Sequence, residues 1–269
     1  MCEPFVLSDN EKVLTIKHWD QSHVIAGFTT RNGGVSQKLF RSLNMGYHVR
    51  DKKDAVDTNY SIVENIISIP LNNWISSKQV HSTSILEVDE HYLLHNQPPP
   101  NFDVEFDGFI TNQQNCLLTA VFADCVPLYF YSEKDQWIGL AHAGWKGTVN
   151  GIGRKMVEAL VKKGVSKRNI QVVIGPSISA THYEVELNVV KHIPLSFHSS
   201  TLTKVDATHY LLDLKQLNKE MLLHAGIHEE QINVTDYCSF QDKELFFSHR
   251  RDNGETGRMM AFIGLERSK

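Results

Sequence analysis

Residues 116–147 read CLLTAVFADCVPLYFYSEKDQWIGLAHAGWKG. Three strand-like runs follow one another closely: CLLTAVFA, VPLYFYS and WIGLAHA. Their apolar character is nearly continuous instead of alternating, which predicts a sheet covered on both faces. Asp124 and Pro127 interrupt the apolar stretch, and it falls short of the roughly 20 residues that a membrane helix needs. The last run brings His142 to a strand end, and Gly144 and Gly147 follow at once, bracketing Trp145 and Lys146.

Upstream, HVIAGFTT (His23–Thr30) reads as a strand that runs into a long polar, glycine-bearing segment. Long segments of this kind in compact domains are often functional. Val56, Tyr60, Val63 and Ile67 recur at helical spacing, which predicts a helix from about Lys53 to Ile69, stopped by Pro70. WISSKQVHSTSILEV is β-rich with His81 near a turn, NQPPPNF reads as a rigid surface loop, and β pattern resumes with DGFIT. Downstream, a helix is expected from Gly147 to Lys163, with an apolar stripe of Val149, Ile152, Met156 and Leu160 and Gly164 as its cap. IQVVIGPSI, QINVT and GRMMAFIGL read as strands, and Leu214–His224 as a helix. With no repeat, low-complexity tract or clear linker, residues 1–269 are expected to form one α/β domain.

The composition is that of a globular protein, 41% hydrophobic and 22% charged. A net charge of -4 gives no basic footprint for nucleic acid. The N-terminal MCEPFVLSDNEK lacks a signal-peptide pattern, so a soluble cytoplasmic protein with no membrane partner is expected. Four cysteines, Cys2, Cys116, Cys125 and Cys238, are too few and too scattered for a disulfide scaffold. Any special cysteine is then a metal ligand or a nucleophile.

His81, Cys125 and His142 each sit where an apolar strand meets a turn, the place where α/β proteins put their sites. Two imidazoles and a thiolate make an open zinc site with a fourth position for water. The same residues also read as a Cys125 nucleophile activated by His142, and on pattern alone the two stand level. Asp124, buried in an apolar run, is expected either to serve as an acid or to form a structural ion pair. Lys146, beside a glycine-flanked helix start, could meet an anion. Arg250, Arg251 and Arg258 around SHRRDNGETGRMM, with Arg31 in TTRNGG, suit bidentate recognition of phosphate, although each taken singly reads as a surface arginine. His91 and His95, like His224 and His228, are four apart and read as surface histidines.

These motifs resemble those of the YfiH/YlmD laccase-domain family, described as polyphenol oxidases and later as purine nucleoside phosphorylases with adenosine deaminase activity. The resemblance runs in order through FTTRNGGVS, SLNMGYHV, KQVHS, ADCVPL, HAGWKGT, IGPSI and SHRRDNGETGRM, nearly the whole chain. It implies His81, Cys125 and His142 as metal ligands and an α/β sandwich of mixed β-sheets flanked by helices, distantly like cytotoxic necrotizing factor catalytic domains. Asn44, within SLNMGYHV, joins Arg31, Arg250, Arg251 and Arg258 as an expected substrate- or phosphate-binding residue. Phe122 and Ser177 depart from the residues common in the family at those places.

The activity so implied is zinc-dependent phosphorolysis of adenosine, inosine or methylthioadenosine to base and ribose 1-phosphate, with adenosine deamination at the same site. Asp124, Lys146, Cys125 and His142 are the expected catalytic residues, nucleoside and phosphate the partners, and a monomer or homodimer the assembly. The competing reading is a copper polyphenol oxidase, because two histidines and a cysteine also describe a copper site. Against it, none of the 14 histidines stands in a His-x-His pair, which a multi-copper oxidase is expected to have. A catalytically silent assembly partner would have no need of the trio.

Overall fold

The computed structural model describes residues 3–19, 23–95 and 103–266. The expected NQPPPNF loop lies outside the described residues. Among the described residues, two large mixed sheets and one small antiparallel sheet carry the fold. The first runs, edge to edge, through Phe5–Leu7 (β1), Val13–Ile16 (β2), Val24–Thr29 (β3), Met259–Leu265 (β15), Cys116–Phe122 (β7) and Trp74–Ile75 (β4). The second runs through Ile232–Val234 (β14), Gln171–Ile174 (β10), Val126–Ser132 (β8), Trp137–Ala143 (β9), Gly108–Thr111 (β6) and Ile85–Glu87 (β5). The third, smaller sheet holds Glu184–Glu186 (β11), His209–Leu212 (β13) and Leu202–Lys204 (β12). It was not legible in the sequence.

The two large sheets pack face to face. Leu118, Ala120 and Phe122 of β7, with Phe28 and Ile263, meet Tyr129 and Tyr131 of β8 and Ile138 and Leu140 of β9 in one core. The intervening residues point outward. Leu117, Met260 and Phe262 pack under the helix Lys53–Ile67 through Val56, Tyr60 and Val63. Leu128, Phe130 and Ala141 pack under the helices Ile152–Lys162 and Leu214–His224. The order is therefore helix, sheet, sheet, helix. Both faces of the central strands β7, β8 and β9 are covered, so the period of two survives in the packing although nearly every residue in them is apolar.

The three runs of 116–147 are divided between the sheets, β7 in the first and β8 and β9 in the second. Ala123, Asp124 and Cys125 carry the chain across, and Asp124 turns it with φ 84°. Pro127 is the second residue of β8 and does not end a strand.

Some boundaries differ from expectation. The helix expected over 147–163 is two helices, Trp145–Val149 and Ile152–Lys162, parted at Gly151, whose φ of 81° no helix interior accepts. The first helix stops at Ile67 because Ser68 adopts a left-handed conformation and caps Glu64 O. Between β4 and β5 the segment with His81 is loop, not strand. Among the described residues no helix is long and apolar enough to cross a membrane.

Candidate metal centre

His142 follows Ile138 and Leu140 at intervals of two, so its ring points between the sheets and lies 5.3 Å from the Phe122 ring. Cys125 closes the crossing between sheets. His81 comes from the loop between β4 and β5, with φ 59°, a conformation uncommon outside glycine and found disproportionately at functional sites. One donor atom from each residue lies within 4.8 Å of the other two. Cys125 Sγ is 3.8 Å from His81 Nε2, and the two imidazole centroids are 4.8 Å apart, edge to face. Among the described residues no other histidine, cysteine or acid group forms such a cluster.

Asp107, which begins DGFIT and was read only as a strand start, stands behind both histidines. Its Oδ1 accepts from His142 Nδ1 at 2.8 Å, which leaves Nε2 for a ligand role. Its carboxylate also accepts the backbone N–H groups of Val80, His81 and Ser82 at 3.2, 3.1 and 2.6 Å. Metal-binding histidines commonly lean on a carboxylate in this way.

Burial alone would raise the Cys125 thiol. The positive charge and hydrogen bond of His142, then the hydrogen bond and charge of His81, win and hold it below its ordinary value. Burial likewise lowers His142, but the Cys125 thiolate and the Asp107 carboxylate raise it. Asp107 is held low, burial being outweighed by the bond and charge of His142 and the Ser82 amide. A thiolate and two imidazoles in mutual reach, with one ring fixed from behind, fit a single metal ion with an open coordination position.

The trio explains why residue 144 is a glycine. A Cβ there would lie 2.7 Å from His81 Cδ2 and 3.1 Å from Cys125 Sγ. Its φ of -68° is ordinary, so the glycine makes room for two ligands and serves no turn. Gly147 has no comparable crowding; a Cβ there would be in ordinary contact at 3.4 Å.

A cavity of about 770 Å³ opens beside the trio. Met45, Tyr47, Tyr60 and Val121 give it apolar wall, and His48, His249 and Arg258 line it together with the trio. That volume is within the range of small-molecule sites. Desolvation of its ring, then the charges of Arg258 and His142, lower His48 to about 4 even though the residue is exposed at the cavity mouth, so it is neutral at neutral pH. His48 and His249 escaped notice because they lie in loops without periodicity; their only signal was a histidine inside a glycine-bearing motif.

The expected substrate residues fall apart into groups. Arg258 lines the cavity, its N–H donated to Asn44 Oδ1 at 2.9 Å and its Nη1 to Thr256 O and Gly257 O. Asn44 is buried behind it and also donates to Asp51. The remaining arginines are bound elsewhere. Arg31 donates to Arg41 O and Lys243 O and lies over Phe247. Arg251 donates to Asp252 and to three backbone carbonyls, of Ser239, Phe240 and Phe246. Arg250 donates to Glu184 O and lies over Tyr183. Asp124 accepts from Ser239 Oγ at 2.6 Å and from Arg250 N at 2.7 Å, with both carboxylate oxygens engaged outside the cavity lining. Lys146 is exposed, its Nζ 5.7 Å above the Trp145 ring, and is not part of that lining.

Residues 25–266 match the family model described as multi-copper polyphenol oxidoreductase laccase. The chain is 41% identical to purine nucleoside phosphorylase YlmD of Bacillus subtilis, over 98% of each. It is 39% identical to purine nucleoside phosphorylase YlmD of Geobacillus stearothermophilus, over 89% of each. The crystal structure of YlmD from Geobacillus stearothermophilus superposes with a TM-score of 0.92 at 35% identity, covering 99% of this chain and 100% of that one. The Bacillus licheniformis hypothetical protein YfiH does so with 0.91 at 39%, covering 98% and 99%.

Proposed function

The chain belongs to the laccase-domain family of YlmD and YfiH, and from that membership we propose that it is a zinc-dependent purine nucleoside phosphorylase. The observation that carries the reading is the His81–Cys125–His142 trio in the wall of a small-molecule-sized cavity that Arg258 also lines. In phosphorolysis a phosphate oxygen bonds to the sugar C1′ as the bond from C1′ to the purine nitrogen breaks. The electron pair leaves with the base, which takes up a proton.

Arg258 is the group suited to hold phosphate, because its fork presents several charged donors while Asn44 fixes its backbone. The Tyr47 and Tyr60 rings, 5.0 Å apart, offer an aromatic surface for the purine. His48, held neutral, contributes hydrogen bonds and not a proton store. His249 is then the imidazole on that wall assigned to protonate the leaving base. Zinc, bound by the trio, would supply Lewis-acid polarisation at this wall. Asp124 and Lys146 take no step here, since one is tied to Ser239 and Arg250 and the other faces solvent.

The same cavity is proposed to deaminate adenosine, water replacing the exocyclic amine to give inosine and ammonia. A copper polyphenol oxidase is the competing reading, favoured by the wording of the family description. A single trio among the described residues and the lack of any His-x-His pair weigh against a multi-copper centre.

The test incubates zinc-loaded protein with adenosine, inosine and methylthioadenosine, with and without phosphate, and separates products by chromatography. Free base with ribose 1-phosphate, formed only when phosphate is present, is expected. Phosphate-independent inosine alone would leave a deaminase, and oxygen uptake with a phenol but no nucleoside turnover would leave an oxidase.

A further inference from the structure

Asp107 is buried, and all four of its carboxylate acceptor directions are used. Oδ1 takes His81 N–H at 3.1 Å and His142 Nδ1 at 2.8 Å; Oδ2 takes Val80 N–H at 3.2 Å and Ser82 N–H at 2.6 Å. Its own backbone carbonyl accepts His142 N–H at 2.7 Å, and its N–H reaches Ser84 O at 3.1 Å. One residue therefore joins the end of β9, rigid and buried, to the loop that carries His81, which is exposed and has a positive φ.

The other anchor of that loop is Gln79. Its side-chain amide pairs with Val121 in both directions, accepting Val121 N–H at 2.8 Å and donating to Val121 O at 2.9 Å. Gln79 thereby extends the pairing of β7, but touches neither histidine through these bonds.

We infer that Asp107 is a positioning residue that sets both histidines of the centre through one carboxylate, His142 by its ring nitrogen and His81 by the backbone beneath it. This rests on the trio being a metal site. An arrangement of this kind makes the two histidines a unit: removing the carboxylate frees the His142 ring to turn and lets the His81 loop relax from its left-handed backbone. An asparagine at 107 cannot replace it. Whichever way its amide faces, the NH₂ meets two groups that are themselves donors.

The experiment measures zinc affinity by chelator competition, and the cobalt(II) absorption spectrum, for the wild type, Asp107→Asn, His81→Ala and the double variant. Asp107→Asn is expected to lose roughly 10–100-fold in zinc affinity, the range typical of removing such a supporting group. The thiolate-to-cobalt band of Cys125 should persist in it, with altered d–d bands. His81→Ala should cost much less in the Asp107→Asn background than in the wild type. Asp107→Asn binding zinc within threefold of the wild type, or two losses that simply multiply, would overturn the inference. A wild type that binds no metal would instead overturn the metal reading itself. Should Asp107→Asn fail to fold, hydrogen exchange in the wild type decides. The Val80, His81 and Ser82 amides should be protected despite their exposed loop, and exchange at unstructured-peptide rates would refute the bonds to Asp107.

Discussion

Replacing Gly144 by alanine isolates the crowding at the metal centre from every backbone effect. The φ of -68° and ψ of 168° suit any residue, so the added methyl acts only on its neighbours. It would begin 2.7 Å from His81 Cδ2, 3.1 Å from Cys125 Sγ and 3.3 Å from His81 Nε2. An ordinary contact needs about 3.4 Å, so the His81 ring must retreat by roughly 0.7 Å while the sulfur gives way by a few tenths. Metal–ligand distances tolerate only about ±0.2 Å, so the retreat cannot be absorbed with the ligands in place. Overpacking of this order costs about 1–3 kcal/mol, which here falls on the metal-bound form and corresponds to roughly 5–150-fold in affinity. The exposed His81 ring can swing away in the metal-free protein, so its melting temperature should hardly move. Chelator competition on the two proteins, beside thermal melts with chelator present, reads both quantities. Equal zinc affinity in Gly144→Ala and wild type would show that the methyl does not displace His81, and the assigned ligand set would fall.

Cys125→Ala should reduce bound metal from about one per chain to near none, read by atomic emission after dialysis. Arg258→Lys keeps the charge but loses the fork, so the KM for phosphate should rise about tenfold while the KM for adenosine changes less than twofold; the reverse pattern would place Arg258 at the base. In metal-free protein the Cys125 pKa is depressed to about 6, so its thiolate is present above that value and is lost as pH falls through it. Alkylation should therefore show a midpoint near 6, and Cys116, buried and pushed up to about 12, should not react in the same range; a Cys125 midpoint near 8.5 would dismiss the thiolate–imidazolium pair. Asp124→Ala leaves the Ser239 hydroxyl and the Arg250 N–H without their acceptor, which costs about 1–3 kcal/mol. It should lower the melting temperature by several degrees and retain the rate per folded molecule, whereas a lost rate at unchanged stability would restore Asp124 as an acid.

Sequence patterns report burial better than they report partners. The strands β7, β8 and β9 were legible because runs such as VPLYFYS have no exposed face, and the helices because Val56, Tyr60, Val63 and Ile67 recur on one side. The division of β7 from β8 was not legible, since a residue buried between two sheets and one buried under a helix look alike. The trio was visible as three ligand-type residues where apolar runs meet turns, although His81 lies in a loop six residues past the end of β4. Asp107 was hidden because its role depends on contacts 25 to 35 residues away in sequence, to Ser82 and to His142. Which of the arginines faces the cavity was hidden for a related reason. Arg251 is rich in donors, but backbone carbonyls of its own neighbourhood occupy them.

The link between the trio and phosphorolysis is open to a single titration. Wild-type protein is stripped with chelator and zinc is returned in steps, with adenine release in the presence of phosphate followed at each step; Cys125→Ala is carried through alongside. The rate should rise in proportion to zinc and level off at one equivalent per chain, with Cys125→Ala flat throughout. Adenine release that is already full in the stripped protein, or that persists in Cys125→Ala, would mean that the centre of His81, Cys125 and His142 does not drive the reaction.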